Sequence, residues 1–178
     1  MNRRLFLMKS AFFGGFGLCF PKSFVFANNN ENLFNDYSSK IQTDDLPFEK
    51  IVKTDAEWRR ILTKKQYLIT RKGETEAPYS SPLNKIKAKG IFVCVCCDLP
   101  MFSSKHKFDS QTGWASFYQP IEKINIQEKI DNSLPEVRTE VLCNRCDAHL
   151  GHVFDDGPEP TGLRYCINGV AMKFIKTK

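Results

Sequence analysis

The sequence predicts a mainly β protein with a short helical flank on its N-terminal side. Two observations predict this class: helix signals are confined to the first third of the chain, and strand signals fill the second half. Clusters rich in Asp, Gly and Pro at 155–158 and 160–162 mark turns between strands. The candidate strands are Ile91–Val95, Glu136–Leu142, Leu163–Asn168 and Val170–Ile175.

The helical flank is predicted from two capping patterns. Thr54–Glu57 and Thr63–Gln66 each place a hydroxyl three residues before a Glu or Gln, as in a capping box. The first helix is expected to bury one face formed by Trp58, Ile61 and Leu62. The second helix is expected to stop at Lys72-Gly73.

Length and charge restrict the possible classes of protein. The chain has 178 residues, 42% of them hydrophobic and 26% charged, which suits one globular domain and excludes a disordered tail or a polytopic membrane protein. The formal net charge is +6, but residues 1–27 hold four basic side chains and no acidic one. The remaining 22 basic and 20 acidic side chains leave only +2, so no nucleic-acid partner is expected.

The N-terminal 27 residues have the pattern of an export signal. Arg3-Arg4 precede a ten-residue apolar run at 11–20, and Val25-Phe26-Ala27 ends in a small residue suited to cleavage. The run is too short to span a bilayer, and the arginine pair is typical of a twin-arginine signal. We expect the export machinery as a partner, a polar flexible linker at 28–48 and a periplasmic location. An uncleaved interfacial anchor is the alternative.

Four cysteines in two CxxC pairs predict a metal site. Cys94 and Cys97, with Cys143 and Cys146, can present four thiolates to one tetrahedral zinc ion. Two disulfides are the alternative, although a bond within CxxC closes too small a loop to add much stability. Cys96 lies between the first pair, as a bystander or as a redox thiol.

Cys166 stands apart from these pairs and is a candidate reactive thiol. In a strand of period two, Arg164, Cys166 and Asn168 share one face while Tyr165 and Ile167 share the other. A guanidinium near a thiol favours the nucleophilic thiolate, and an amide can bond a reacting polar group. A buried structural cysteine is the alternative.

Two histidines and an aromatic segment complete the candidate site. His149 and His152 follow the second CxxC pair and could deliver a proton near neutral pH; zinc ligation by His149 is the alternative. Trp114 lies in a run with three aromatic residues, which suits either core packing or an apolar substrate wall. His106, in a lysine-rich stretch, is expected to be solvated.

Taken together, these segments resemble the B class of peptide-methionine sulfoxide reductases, which act on the R epimer. The resemblance covers residues 49–178. It implies two antiparallel sheets, with zinc holding loops on the side away from the active site. The matching blocks are Cys94–Cys97, 107–110 with Gly113-Trp114, Cys143–Cys146, 149–158 and 164–168.

The resemblance also implies residue roles. Cys166 matches the nucleophile that attacks the sulfoxide sulfur and becomes a sulfenic acid. Trp114 matches the aromatic that holds the substrate methyl group, and Arg164 matches a residue that favours the thiolate. Polar groups that position or protonate the sulfoxide oxygen match His149, His152 and Asn168. The family's zinc ligands match Cys94, Cys97, Cys143 and Cys146. The implied substrates are oxidised proteins or peptides of the cell envelope, with methionine as the product.

Two positions depart from the family pattern. Thr112 stands where many members carry the resolving cysteine, so the usual thioredoxin route is in doubt. We expect an external thiol or a thioredoxin-like reductant to regenerate Cys166, with resolution by Cys96 as the alternative. Ala115 stands where proline is usual, which predicts a less rigid substrate wall.

Two rival functions belong to other classes. A zinc-ribbon binding module would need the CxxC pairs alone, and it leaves the Cys166 face unexplained. A cysteine hydrolase would pair Cys166 with His149 or His152. Hydrolysis of a thiol ester against reduction of a sulfoxide separates the hydrolase from the reductase.

Overall fold

Two short helices lead into the sheets in the computed structural model, which describes residues 46–178. Helix α1 is Asp55–Ile61 and helix α2 is Lys64–Lys72. Both predicted capping boxes are present, and α2 ends at Gly73 in the left-handed conformation. The predicted signal peptide at 1–27 and most of the 28–48 linker lie outside the described residues. No helix among the described residues is long and apolar enough to cross a membrane.

The buried face predicted for α1 is wrong in one position. Trp58 and Leu62 are buried, but Ile61 is 58% exposed. The helix ends at Ile61, and Leu62 adopts an extended conformation as its C-terminal cap. Leu62 therefore turns inward from outside the helix, and the helical spacing that grouped it with Ile61 does not apply.

The strands of the described residues form two antiparallel sheets, as predicted. The smaller sheet has the order β2-β1-β9, and the larger sheet has the order β3-β4-β8-β7-β6-β5. The strands are β1 Gly90–Cys94, β2 Pro100–Ser103, β3 Lys107–Phe108, β4 Ala115–Phe117, β5 Ile126–Asp131, β6 Arg138–Cys143, β7 His149–Phe154, β8 Arg164–Ile167 and β9 Met172–Lys176.

The four strands predicted from sequence correspond to β1, β6, β8 and β9. The last of these begins later than predicted because Gly169–Ala171 forms a 3₁₀ turn before it. Strands β2, β3, β4, β5 and β7 were not predicted. Strand β7 reads HLGHVF and is mostly buried, so it lacks the alternation of a strand with one solvated face. Strand β5 reads IQEKID and is largely polar at the sheet edge.

The aromatic core lies where the two sheets meet. Phe102 of β2 stacks on Phe117 of β4 with ring centroids 4.5 Å apart, and Phe92 of β1 meets the same ring edge-on at 5.0 Å. Tyr165 of β8 packs against Phe102. Because side chains alternate along β8, burial of Tyr165 and Ile167 in this core turns Cys166 to the other face of the larger sheet.

The register of the larger sheet assembles a row of polar residues on that other face. Ser116 pairs with Cys166, Cys166 with His152, and His152 with Glu140. Residues paired across adjacent strands share one face of the sheet. The fold thus brings a thiol, an imidazole and a carboxylate from β8, β7 and β6 into one line.

Candidate functional site

The two CxxC segments adopt the same local conformation. Cys94 N–H donates to Leu99 C=O at 2.9 Å, and Cys143 N–H donates to Ala148 C=O at 2.9 Å. The residue after each pair is an aspartate in the left-handed region, with φ of 62° at position 98 and 54° at position 147. Aspartate tolerates this region better than most residues. Each turn therefore folds its two thiols back toward one point.

The four thiols of these turns converge, as the spacing predicted. The sulfurs of Cys94, Cys97, Cys143 and Cys146 all lie within 4.8 Å of one another. Cys94 Sγ is 3.7 Å from Cys146 Sγ, and Cys97 Sγ is 3.5 Å from Cys143 Sγ. Thiolates about 2.3 Å from a tetrahedral zinc ion lie about 3.8 Å apart, so the spacing fits such an ion. All six cysteines of the described residues are unpaired, against the disulfide alternative.

The N-terminal segments hydrogen-bond to the second cysteine turn, at residues 143–146. Arg71 of α2 donates two hydrogen bonds to Cys146 C=O, at 2.8 and 2.9 Å, and its guanidinium lies 4.7 Å from the Trp58 ring. Ile51 N–H donates to Arg145 C=O at 2.7 Å. The helical flank thus packs against the cysteine turn that precedes β7.

Cys166 opens onto a small separate cavity of about 140 Å³. The cysteine is half-buried, and none of the four clustered cysteines lines this cavity. The structure brings three of the predicted site residues there with Cys166: Trp114, His152 and Asn168. Phe154, Arg138, Thr75 and Gly151 complete its lining. The cavity combines apolar surface with a few polar groups, as small-molecule sites do.

The two histidines lie together, each held by a carboxylate. His149 Nδ1 is 2.6 Å from Glu140 Oε1, and His152 Nε2 is 2.8 Å from Asp131 Oδ2. Their ring centroids are 5.5 Å apart. Burial lowers the pKa of His152, although the Asp131 carboxylate opposes this shift. His152 lines the Cys166 cavity directly, whereas His149 lies beside it and also borders a groove near α2.

One ring nitrogen of His149 has no hydrogen-bond partner. The residue is 5% exposed, and its Nε2 is buried without a hydrogen-bond partner. An unpaired buried polar atom costs free energy, so a ligand that hydrogen-bonded this nitrogen would recover that cost. Neither histidine contributes to the sulfur cluster, which already has four donors.

Arg164 is less free to act on the thiol than its position in the sequence suggests. Its Nε and one terminal nitrogen donate to Asp156, both at 2.8 Å, and its guanidinium lies 4.4 Å from the Phe154 ring. Arg164 and the Thr112 hydroxyl lower the pKa of Cys166, but burial raises it by more, so the net shift is upward. Arg164 therefore lowers the pKa of Cys166 by less than burial raises it.

The two departures from the family pattern lie on either side of Trp114. Thr112 Oγ1 is 2.8 Å from Ser110 Oγ, which is 2.7 Å from Ser116 Oγ, and the Thr112 hydroxyl also lowers the pKa of Cys166. Ala115 is buried in β4 and pairs with Ile167. This pairing restrains the backbone at Ala115 and limits the extra freedom expected there.

Sequence reasoning missed the residues that orient the site. Glu140 and Asp131 hold the histidines, and Asp156 holds Arg164. Glu76, which lies outside the helices and strands, hydrogen-bonds Trp114 and Asn168 through its backbone. No periodicity signals such contacts, because each depends on which strands become neighbours. The sequence shows that these residues are acidic, but it does not show which residues they contact.

Fold and site together define a class: a two-sheet β protein with a four-cysteine cluster and, apart from it, a half-buried thiol beside histidines. The family model described as "SelR domain" matches residues 62–176. A peptide methionine sulfoxide reductase MsrB of Herminiimonas arsenicoxydans is 53% identical over 129 residues, 72% of this chain and 94% of that protein.

Two further relatives agree with this match. An MsrB of Hahella chejuensis is 52% identical over 126 residues, 71% of this chain and 91% of that protein. The chloroplastic peptide methionine sulfoxide reductase B1 of Oryza sativa subsp. japonica is 57% identical over 126 residues, 70% of this chain and 58% of that protein. The chain therefore belongs to the SelR family, that of the peptide methionine sulfoxide reductases B.

We expect the raised pKa of Cys166 to govern its alkylation. Because a smaller fraction is thiolate at neutral pH, the rate with iodoacetamide should rise with pH, with a midpoint above that of an exposed thiol. Thr112→Val should move the midpoint higher, since it removes a hydroxyl that lowers the pKa of Cys166. Mass spectrometry of the Cys166 peptide measures both rates. Thr139→Val on β6 is the control, and a midpoint below that of an exposed thiol would contradict the burial effect.

Proposed function

We propose that this protein reduces peptide- and protein-bound methionine (R)-S-oxide to methionine at the expense of thiols, with Cys166 as the nucleophile. The observation that carries the proposal is the half-buried Cys166 thiol in a 140 Å³ cavity lined by Trp114, His152 and Asn168, within a SelR domain. The combination supplies a nucleophile, an apolar wall and polar groups at one place.

Trp114 is proposed to hold the methyl group of the substrate. Its indole N–H donates to Glu76 C=O at 3.0 Å, which fixes the ring at the cavity wall. The small cavity suits a methyl sulfinyl group and leaves the peptide backbone outside. A rigid apolar wall on one side and polar groups on the other can distinguish the two epimers, because they exchange the positions of oxygen and lone pair on sulfur.

His149, His152 and Asn168 are proposed to receive the sulfoxide oxygen. Asn168 Oδ1 already accepts from Glu76 N–H at 3.0 Å, and Nδ2 donates to Leu150 C=O at 3.1 Å, which leaves one Nδ2 hydrogen for the substrate. Glu140 is hydrogen-bonded to Nδ1 of His149, so Nε2 is the ring nitrogen that remains to carry a proton. We propose that this proton passes to the sulfoxide oxygen as negative charge develops on that oxygen.

The proposed reaction conserves atoms and electrons. The Cys166 sulfur attacks the sulfoxide sulfur, the oxygen passes to Cys166, and the S–O bond of the substrate breaks. Methionine leaves as the thioether, reduced by two electrons, and Cys166 becomes a sulfenic acid, oxidised by two. Two thiol groups, from an external thiol reductant or a thioredoxin-like protein, then reduce Cys166. The first attacks the sulfenic acid, forms a mixed disulfide and releases the oxygen as water, and the second releases the Cys166 thiol and leaves the reductant as a disulfide. The Thr112 hydroxyl cannot form a disulfide, so this reductant acts directly on Cys166.

The four-cysteine cluster is proposed to hold one structural zinc ion. Cys94, Cys97, Cys143 and Cys146 are the ligands, and their sulfur-only donor set and spacing suit zinc. Zinc bound there would stabilise the fold and leave the chemistry to Cys166. It would fix the segment at 143–148 that leads directly into β7 and its histidines.

Export to the periplasm is proposed from the first 27 residues alone. The arginine pair, apolar run and small residue at position 27 together support a cleaved twin-arginine signal. That route carries folded proteins, which suits a domain that binds its metal before export. The enzyme would then repair oxidised proteins in the cell envelope.

The activity test uses separate R and S epimers of peptide-bound methionine sulfoxide with dithiothreitol as donor. The mature protein should reduce the R epimer only, and Cys166→Ser should lose at least about a thousandfold in kcat/KM because its hydroxyl is a poor nucleophile. The matched control is Cys96→Ser, which alters the other half-buried cysteine of the described residues outside the proposed zinc ligands. A zinc-loaded, folded protein without activity would contradict the proposal and favour the binding-module alternative.

The missing resolving thiol can be tested in a single turnover without reductant. Cys166 should accumulate as the sulfenic acid and be trapped by dimedone, because Thr112 offers no sulfur. Mass spectrometry of the modified peptide measures it. A disulfide between Cys96 and Cys166 would instead assign resolution to Cys96.

Metal analysis of the purified protein should find one zinc per chain. Cys143→Ser should lose the metal and lower the thermal midpoint by about 10 °C or more, since metal binding contributes folding free energy. Cys96→Ser should keep both zinc and midpoint. An equal loss in the two variants would mean that Cys96 also ligates the metal, in place of one of the assigned cysteines.

N-terminal sequencing of the exported protein should begin at Asn28, because cleavage is expected after Ala27. Arg3→Lys with Arg4→Lys should block export by the twin-arginine route and leave precursor in the cytoplasm. The paired control is Lys22→Arg, which leaves the arginine pair intact. A mature chain that still starts at Met1 would favour the anchor alternative.

A further inference from the structure

The loop at residues 76–81, here called the clasp, connects two segments of the Cys166 cavity. It begins with Glu76, which is 4% exposed. The Glu76 carboxylate accepts hydrogen bonds from Gly169 N–H at 2.6 Å and Val170 N–H at 3.1 Å. These two amides open the 3₁₀ turn that follows Asn168. The side chain of Glu76 therefore fixes the backbone on one side of the cavity.

The backbone of the same residue reaches both proposed substrate-binding groups. Glu76 N–H donates to Asn168 Oδ1 at 3.0 Å, and Glu76 C=O accepts from Trp114 Nε1 at 3.0 Å. One buried residue thus joins the polar side of the cavity to its aromatic wall. The residue just before it, Thr75, lines the cavity itself.

Two glycines allow the clasp to pack closely, one against Pro78 and the other against Ser81. A Cβ on Gly113 would come within 2.6 Å of Pro78 Cβ, and a Cβ on Gly169 would overlap the Ser81 side chain. Tyr79 N–H also donates to Gly113 C=O at 2.7 Å. Each glycine is next to a proposed binding residue, Trp114 or Asn168, so the clasp packs closely on both.

We infer that Glu76 is a positioning residue that sets the separation between the Trp114 ring and the Asn168 amide across the cavity. This inference rests on the proposed function and extends it to the width of the substrate site. Glu76 does not touch the substrate. It acts through Trp114 and Asn168, by holding each at a fixed place relative to Cys166.

The nucleophile itself is held independently of the clasp. Cys166 lies within β8 and pairs with Ser116 on one side and His152 on the other. Loosening the clasp should therefore change how the sulfoxide is bound and leave the intrinsic reactivity of the thiol unchanged. A general loss of structure would change both.

The test substitutes Glu76→Gln, which keeps the shape of the side chain but offers only one acceptor to two backbone amides. The matched control is Glu74→Gln, an exposed position two residues earlier. The chain has two tryptophans, so indole N–H exchange by NMR follows Trp114 with Trp58 as an internal reference. This readout does not depend on any enzymatic activity.

Glu76→Gln should speed exchange of the Trp114 indole proton and raise KM for the R epimer, each by about tenfold or more. Exchange at Trp58, the alkylation rate of Cys166 and the zinc content should stay unchanged. Combination with Asn168→Ala should add little further loss, because both changes act on one interaction. Unchanged exchange at Trp114 and unchanged KM would overturn the inference, and so would equal disturbance of Trp58.

A second variant serves as the test if Glu76→Gln does not fold. Glu76→Asp keeps two carboxylate oxygens on a side chain one methylene shorter, so it can reach the Gly169 and Val170 amides only by shifting the backbone that holds Trp114 and Asn168. It should give the same selective change at Trp114 and in KM, and a normal Trp114 signal would overturn the inference. If the wild-type protein reduces neither epimer, the proposed function fails, while indole exchange still decides whether Glu76 holds Trp114.

Discussion

The position of β8 between β4 and β7 is the constraint on which the rest of the site depends. Tyr165 and Ile167 are buried in the aromatic core, so the alternation of the strand turns Cys166 the opposite way. Its neighbours in register are Ser116 and His152. A slip of one residue would bury the thiol and expose the tyrosine, and the cost of that exchange keeps the register unique.

Around this strand, the charged groups are arranged in pairs that leave the thiol mostly uncharged at rest. Asp156 neutralises Arg164, and Asp131 and Glu140 hold the two histidines. Burial therefore outweighs the nearby positive charge at Cys166, and the pKa of its thiol is raised.

The four-cysteine cluster and the Cys166 cavity are separate features of the domain. The cluster joins the turn after β1 to the turn after β6, and Arg71 adds the helical flank to it. It lies next to the start of β7 along the chain, yet none of its sulfurs lines the cavity. On the other side of the cavity the clasp joins Trp114 to Asn168 without contributing any reactive group. Rigid supports outside the reacting atoms are what hold a small site at a fixed geometry.

The sequence by itself determined the features that depend on near neighbours in the chain. Two capping boxes located the helices, CxxC spacing located the four-cysteine cluster, and period-two alternation placed Cys166 opposite Tyr165. Such patterns act over a few residues, where geometry is known before the fold forms.

Only the tertiary structure decided the contacts made across the chain. Strand β7 is covered on both faces, so its sequence does not alternate between apolar and polar residues. Helix α1 ends at Ile61, one residue before the last position of the apolar pattern that predicted it. Glu76 meets Asn168 at a separation of 92 residues, and His152 meets Asp131 at 21. No local pattern encodes such pairings, because they exist only once the strand order of the larger sheet is fixed.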